Sequence, residues 1–111
     1  MKDVTINIAE DYAKTPGGRH IHEGKFSGED FRETLLKPTV VKAIEQEFKV
    51  IVVLDGGFGY APSFLEEAFG GLIRELKDDR IINIISVISE EEPSLIEDIK
   101  KYMAEAFKEE K

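Results

Sequence analysis

Val50-Ile51-Val52-Val53-Leu54 is an unbroken run of β-branched and apolar residues that stops at Asp55, where a turn holding Gly56, Gly57 and Gly59 begins. Five residues apolar on both faces are the pattern of a central strand with helices packed on each side. From Ser63 the period changes: Leu65, Ala68, Phe69, Leu72, Ile73 and Leu76 recur at helical spacing. A buried strand, a glycine turn and then a helix constrain the chain to the α/β class. They also mark the place where such domains carry binding or regulatory chemistry.

The flanking segments extend this unit. Val4, Ile6 and Ile8 alternate with Thr5 and Asn7, which predicts a strand with one buried face. Thr15-Pro16-Gly17-Gly18 is a turn signal, and the polar neighbours of Ile21 predict a short strand over 19–22 that pairs back on the first as a hairpin. Ser27 followed by Glu29 and Asp30 predicts a capped helix start. Pro38 should interrupt that helix and open a second one with the stripe Val40, Val41, Ile44 and Phe48. Ser63 and Glu66 have the spacing of a capping box, and Asp78-Asp79 should end the helix that follows. Ile81 to Ile88 predicts another buried strand. The last helix starts within 89–93 and carries Leu95, Ile99, Met103 and Ala106 inward. No linker or internal repeat divides the 111 residues, so they form one domain, 1–111.

Charge narrows the partners. A net charge of −8 without a basic stripe repels phosphate backbones and anionic membranes, and argues against nucleic acid as a ligand. A basic protein partner is compatible with it, and the same acidity serves solubility. No apolar run approaches the roughly 20 residues that cross a bilayer. Met1-Lys2-Asp3 leads into the first strand without an apolar leader, and the chain has no cysteine, which together point to the reducing cytoplasm.

Candidate chemistry gathers around the glycine turn. Its backbone and the start of the next helix could hold a phosphate or carboxylate, although the spacing matches neither the phosphate loop nor the dinucleotide fingerprint. Arg19 and Arg32 flank the first helix start and could clamp an anion there, or form internal salt bridges to Asp55 or Glu29. Gly70-Gly71 costs helix stability, which calls for close packing or a smooth docking surface. His20 and His22 would need a carboxylate from elsewhere to hold zinc, so no metal site is expected. Ser63 lacks a nucleophile-elbow context, and the adjacent Glu66 and Glu67 point in different directions on a helix. No catalytic group is expected.

Gly17-Gly18-Arg19, Ser27-Gly28-Glu29 with Phe31-Arg32, Pro38, Asp55, Gly59 and the run Ser63-Phe64-Leu65-Glu66-Glu67-Ala68-Phe69-Gly70-Gly71-Leu72 resemble a STAS-like family of bacterial and archaeal proteins, a domain of unknown function. The resemblance implies a STAS-like α/β sandwich with a mixed, mostly parallel sheet of about four strands. It also implies a non-enzymatic regulatory or protein-interaction module without a cofactor, akin to anti-sigma-factor antagonist domains. In those antagonists a serine in Asp-Ser-Ser-Gly is phosphorylated by a kinase of histidine-kinase-like ATPase fold, and such an ATPase is the implied partner. Here Ala61-Pro62-Ser63-Phe64 stands at that place, without the aspartate and the glycine, which leaves Ser63 as the candidate phosphoacceptor. The expected interaction surface is Gly59, Tyr60, Glu66, Glu67, Gly70 and Gly71. The alternative is a small-ligand, nucleotide or anion-binding domain built on the turn, Arg19 and Arg32. A third reading is a structural subunit with Gly70-Gly71 at a homodimer seam.

Overall fold

The computed structural model describes residues 3–109; Met1, Lys2, Glu110 and Lys111, with the readings that fall on them, lie outside the described residues. Strands β1 (Val4–Asn7), β2 (Val50–Val53) and β3 (Ile85–Ile88) form one sheet in the order β1-β2-β3. Both pairings are parallel, with Ile6 opposite Val52 and Val52 opposite Val87. A one-turn helix α1 (Ile8–Asp11) follows β1, and α2 covers residues 28–46. Helix α3 covers residues 62–76, α4 (Ile81–Ile84) leads into β3, and α5 (Ser94–Glu109) closes the chain.

The expected hairpin strand over 19–22 is not there. Ile21–Glu23 forms a 3₁₀ turn instead. The Glu23 carboxylate accepts from the backbone N–H groups of Arg19 and His20 at 2.6 and 3.3 Å, and Glu29 accepts from that of Ile21 at 3.0 Å. The donors a strand needs for pairing are thus taken by side chains, so the sheet has three parallel strands rather than about four mixed ones. The run Ile81 to Ile88 also divides. Ile81 N–H bonds to Asp78 O and Ile84 N–H to Arg80 O, which winds one helical turn before the backbone extends at Ile85.

Helix α2 starts as expected, with Ser27 Oγ accepting from Asp30 N–H at 3.0 Å. Pro38 does not break it. A wide turn over Arg32–Leu36, closed by Lys37 N–H donating five residues back to Arg32 O, carries the helix past the proline. Helix α3 contains a second wide turn, Glu66–Gly70, where Gly71 N–H reaches Glu66 O. The capping box expected at its start does not form. Pro62, with φ already fixed near helical values, occupies the first position behind the N-cap residue Ala61. Ser63 therefore lies inside the helix, and Glu66 N–H bonds to the Pro62 and Ser63 carbonyls instead of the Ser63 hydroxyl.

Sequential strand order decides where the core lies. Right-handed crossovers that step the same way across a sheet put their helices on the same face. Accordingly Ile6, Val50, Val52 and Ile85 belong to one buried cluster with Leu36, Val40, Phe69, Leu72 and Ile99. The alternate residues Ile51 and Val53 are only half-buried, and Thr5, Ser86 and Ile88 are exposed. Val50 to Leu54 is thus apolar on both faces, yet helices cover one face only among the described residues, against the expectation of cover on each side.

Candidate functional site

The turn after β2 stands at the C-terminal ends of the strands. Gly56 and Gly59 have φ of 96° and 120°, a region side chains avoid. The turn is tied on two sides: Phe58 N–H donates to Lys14 O at 2.9 Å, and Gly56 N–H to a Glu91 carboxylate oxygen at 3.0 Å. Asp55 reciprocates, accepting from Glu90 and Glu91 N–H at 3.0 and 2.8 Å. Asp55 and Glu91 thereby clasp the loops after β2 and β3 together. Beneath the clasp is a cleft of about 230 Å³ lined by Asp55, Phe58, Tyr60, Glu91, Glu92 and Leu95. Phe58 is 82% exposed at its mouth. The Tyr60 hydroxyl donates to Leu54 O at 2.8 Å. Burial, then the charges of Asp55 and Glu91, push its phenol up to about 12.

Helices α2 and α3 meet through a lattice of ion pairs centred on their wide turns. Arg32 Nη1 donates to the Glu67 carbonyl at 2.6 Å and to the Glu67 carboxylate at 2.7 Å. Its Nε reaches Glu33 at 3.1 Å and Glu75 at 3.2 Å. Arg19 pairs with Glu66 and stands 3.4 Å from Glu67, and Arg74 holds Glu66 at 2.7 Å. Lys37 joins Glu33 and Glu75. The hydrogen bond from Arg74, and then that from Arg19, hold the Glu66 carboxyl below its ordinary range against the opposing effect of burial. The wide turn explains the odd spacing of this pair: one extra residue turns Arg74, eight residues on, back over Glu66.

Several expected site residues therefore take structural places. Both Arg19 and Arg32 are engaged by carboxylates, though by Glu66, Glu67, Glu33 and Glu75 rather than by Asp55 or Glu29. The first N–H groups of α2 are taken as well: Gly28 by Gly18 O and Glu29 by Arg19 O, each at 3.0 Å. With its donors occupied and the cleft lined by carboxylates, the geometry weighs against an anion at this end of the molecule. Glu67, Gly70 and Gly71 are buried, which removes them from the accessible surface. A methyl on Gly71 would overlap the Arg32 guanidinium, and one on Gly70 would sit 2.6 Å from the Glu66 carboxylate. The glycine pair serves close packing. Gly59 is exposed; Tyr60, Ser63 and Glu66 are partly so. His20 and His22 stack with ring centroids 5.7 Å apart, and His20 Nδ1 lies 3.4 Å from Glu29.

The family model of the STAS-like domain of unknown function matches residues 27–95, which hold both wide-turn helices, the central strand and β3. The chain belongs to this STAS-like family. No curated protein and no solved structure matches it. The STAS-like match spans the Arg32–Glu67 pair and the clasp between Asp55 and Glu91, but leaves Arg19 and β1 outside. Sequence reasoning did not single out Glu91, Glu92 or Phe58. Their signal was weak: an acidic run after the last strand and a lone aromatic inside a glycine turn.

Proposed function

We propose that this STAS-like domain is a non-enzymatic regulatory module that docks a protein partner on the turn 55–61 and the first turns of α3. The observation that carries this is Phe58. A large aromatic side chain stands 82% exposed on a turn whose backbone is tied to Lys14 and Glu91. Aromatic residues presented rigidly are favoured anchors of interfaces. The carboxylates of Asp55, Glu91 and Glu92 beside it would steer a basic surface toward the turn.

Ser63 is the candidate phosphoacceptor, and kinship makes a histidine-kinase-like ATPase the candidate partner. Ser63 is partly exposed in the first turn of α3, one turn before Glu66. A phosphate there would add about −1.5 to −2 charges at a helix start. Standing one turn before Glu66, it would meet the repulsion of that carboxylate, so the added charge would change what can dock on this turn.

The test is incubation of the chain with a purified histidine-kinase-like ATPase and ATP, read by mass spectrometry and by binding in solution. The expected result is one phosphate on Ser63, lost in Ser63→Ala, and weaker binding by Phe58→Ala at unchanged melting temperature. Full binding by Phe58→Ala would place the partner elsewhere. Absence of both binding and phosphate would overturn the regulatory reading.

A further inference from the structure

The cleft at the carboxyl ends of β2 and β3 stands where open α/β sheets take their ligands. Its volume of about 230 Å³ is many times the space one water needs. The polar side chains that line it share one property: none has a proton left to donate. The Tyr60 hydroxyl gives its proton to Leu54 O at 2.8 Å, and the buried Ser89 hydroxyl gives its own to Glu92 O at 2.7 Å. Asp55, Glu91 and Glu92 are carboxylates, which when ionised can only accept. Among the described residues no basic group pairs with these three, whereas Glu33, Glu66, Glu67 and Glu75 of the lattice are each held by an arginine or a lysine. Phe58, 82% exposed, adds an aromatic ring to the same lining.

We infer that this cleft receives an arginine side chain of the partner, an inference that rests on the docking of that partner on the turn 55–61. Side chains that only accept select a group that only donates. A guanidinium carries five N–H donors and no acceptor. Its planar fork engages a carboxylate through two parallel bonds, and its flat face stacks on an aromatic ring. The cleft supplies both, carboxylates from Glu91 and Glu92 and rings from Phe58 and Tyr60. Lysine brings the charge as a compact ammonium, without the fork or the flat face.

Titration of the isotope-labelled chain with acetyl-glycyl-arginyl-glycine amide, followed by amide NMR shifts, tests it. The signals of Gly57, Gly59 and Glu91 should move together and saturate. The citrulline analogue, which has the shape without the charge, should bind at least about tenfold more weakly, and the lysine analogue about threefold more weakly. Glu91→Gln keeps an oxygen for the Gly56 N–H and removes the charge, so it should weaken the arginine peptide about tenfold. Glu92→Gln, whose side chain is outside the clasp, should weaken it about threefold and keeps the test valid if Glu91→Gln loosens the loops. Phe58→Ala removes a stacking face and should also cost about threefold in affinity. Glu45→Gln, exposed at the far end of α2, should change nothing. Equal binding of the citrulline or lysine analogue, or full binding by folded Glu91→Gln and Glu92→Gln variants, overturns the inference. A chain that ignores the arginine peptide while its partner still depends on Phe58 sinks the arginine cleft and leaves the docking reading standing. A chain that takes the peptide while its partner ignores Phe58 supports the guanidinium site and sinks the docking reading alone.

Discussion

Gly71→Ala sets two effects of opposite sign against each other. Gly71 has helical backbone angles, φ −60° and ψ −35°. On propensity alone, alanine there should stabilise the helix by about 1 kcal/mol. The new methyl, however, would overlap Arg32 Nη1 and stand 3.0 Å from Cζ. The end of an arginine is ordinarily free to move aside. This one is not, because its side chain is only 10% exposed and it bonds to the Glu67 carbonyl and carboxylate, Glu33 and Glu75.

Displacing the guanidinium strips Glu67 of its closest counter-charge. Breaking a buried ion pair from one side costs about 3–5 kcal/mol. Arg19 at 3.4 Å and Arg74 at 3.9 Å still face Glu67, which argues for the lower end. Net of the propensity gain, Gly71→Ala should destabilise the fold by about 2 kcal/mol, or about 8 °C in melting temperature for a domain of this size. Urea unfolding followed by circular dichroism measures it. The same substitution in an Arg32→Met background has no guanidinium to displace and should be neutral or stabilising by up to about 1 kcal/mol. A stabilising Gly71→Ala in the wild-type background would refute the reasoning, since the wide-turn contact would then be incidental.

Ser27→Ala should lower stability by roughly 0.5–2 kcal/mol because its hydroxyl caps α2, whereas Ser63→Ala, which removes no cap, should stay within about 0.5 kcal/mol in the same urea melts. Tyr60 should make stability fall in alkali. Its folded phenol is pushed up to about 12, above the ordinary value of 10.0, so its contribution is whole below 10.0 and is lost as pH rises through 12. Urea midpoints measured across that window should decline less steeply in Tyr60→Phe than in the wild-type chain.

Much of the framework was legible in the sequence. The periods of two and 3.6 located β1, β2 and the stripes of α2, α3 and α5, and Ser27 marked its helix start. What escaped was decided by side chains acting on the backbone from a distance in sequence. The strand over 19–22 was lost because Glu23 and Glu29 captured its N–H groups. Local pattern gives no sign of this, since the residues have unremarkable strand alternation. An ordinary helical turn does not accommodate Pro38, so the pattern predicts a break there. The added residue of a wide turn relaxes that constraint, and nothing in composition announces such a turn. The one-sided sheet is a topological fact: periodicity reports that both faces of β2 are apolar, but only strand order reports which face the helices reach.

The candidate site was legible by position more than by role. The glycine turn does stand at the strand ends, where Asp55 stops the apolar run. The arginines flanking the first helix were equally visible, with their partners left open between an anion and an internal carboxylate. Their choice of Glu66 and Glu67 depends on α2 and α3 lying side by side, and that follows from the strand order β1-β2-β3. The same order that brings the two wide turns into register also leaves Ile51, Val53 and Ile88 without a helix. The buried ion-pair lattice and the open apolar face are therefore two consequences of a single connection pattern. A variant that weakens the lattice, such as Arg32→Met, should lower stability in urea melts, while Ile88→Lys at its exposed position on the open face should change it by no more than about 0.5 kcal/mol. Each side of the sheet can then be perturbed on its own, which is what a fold with all its helices on one face requires.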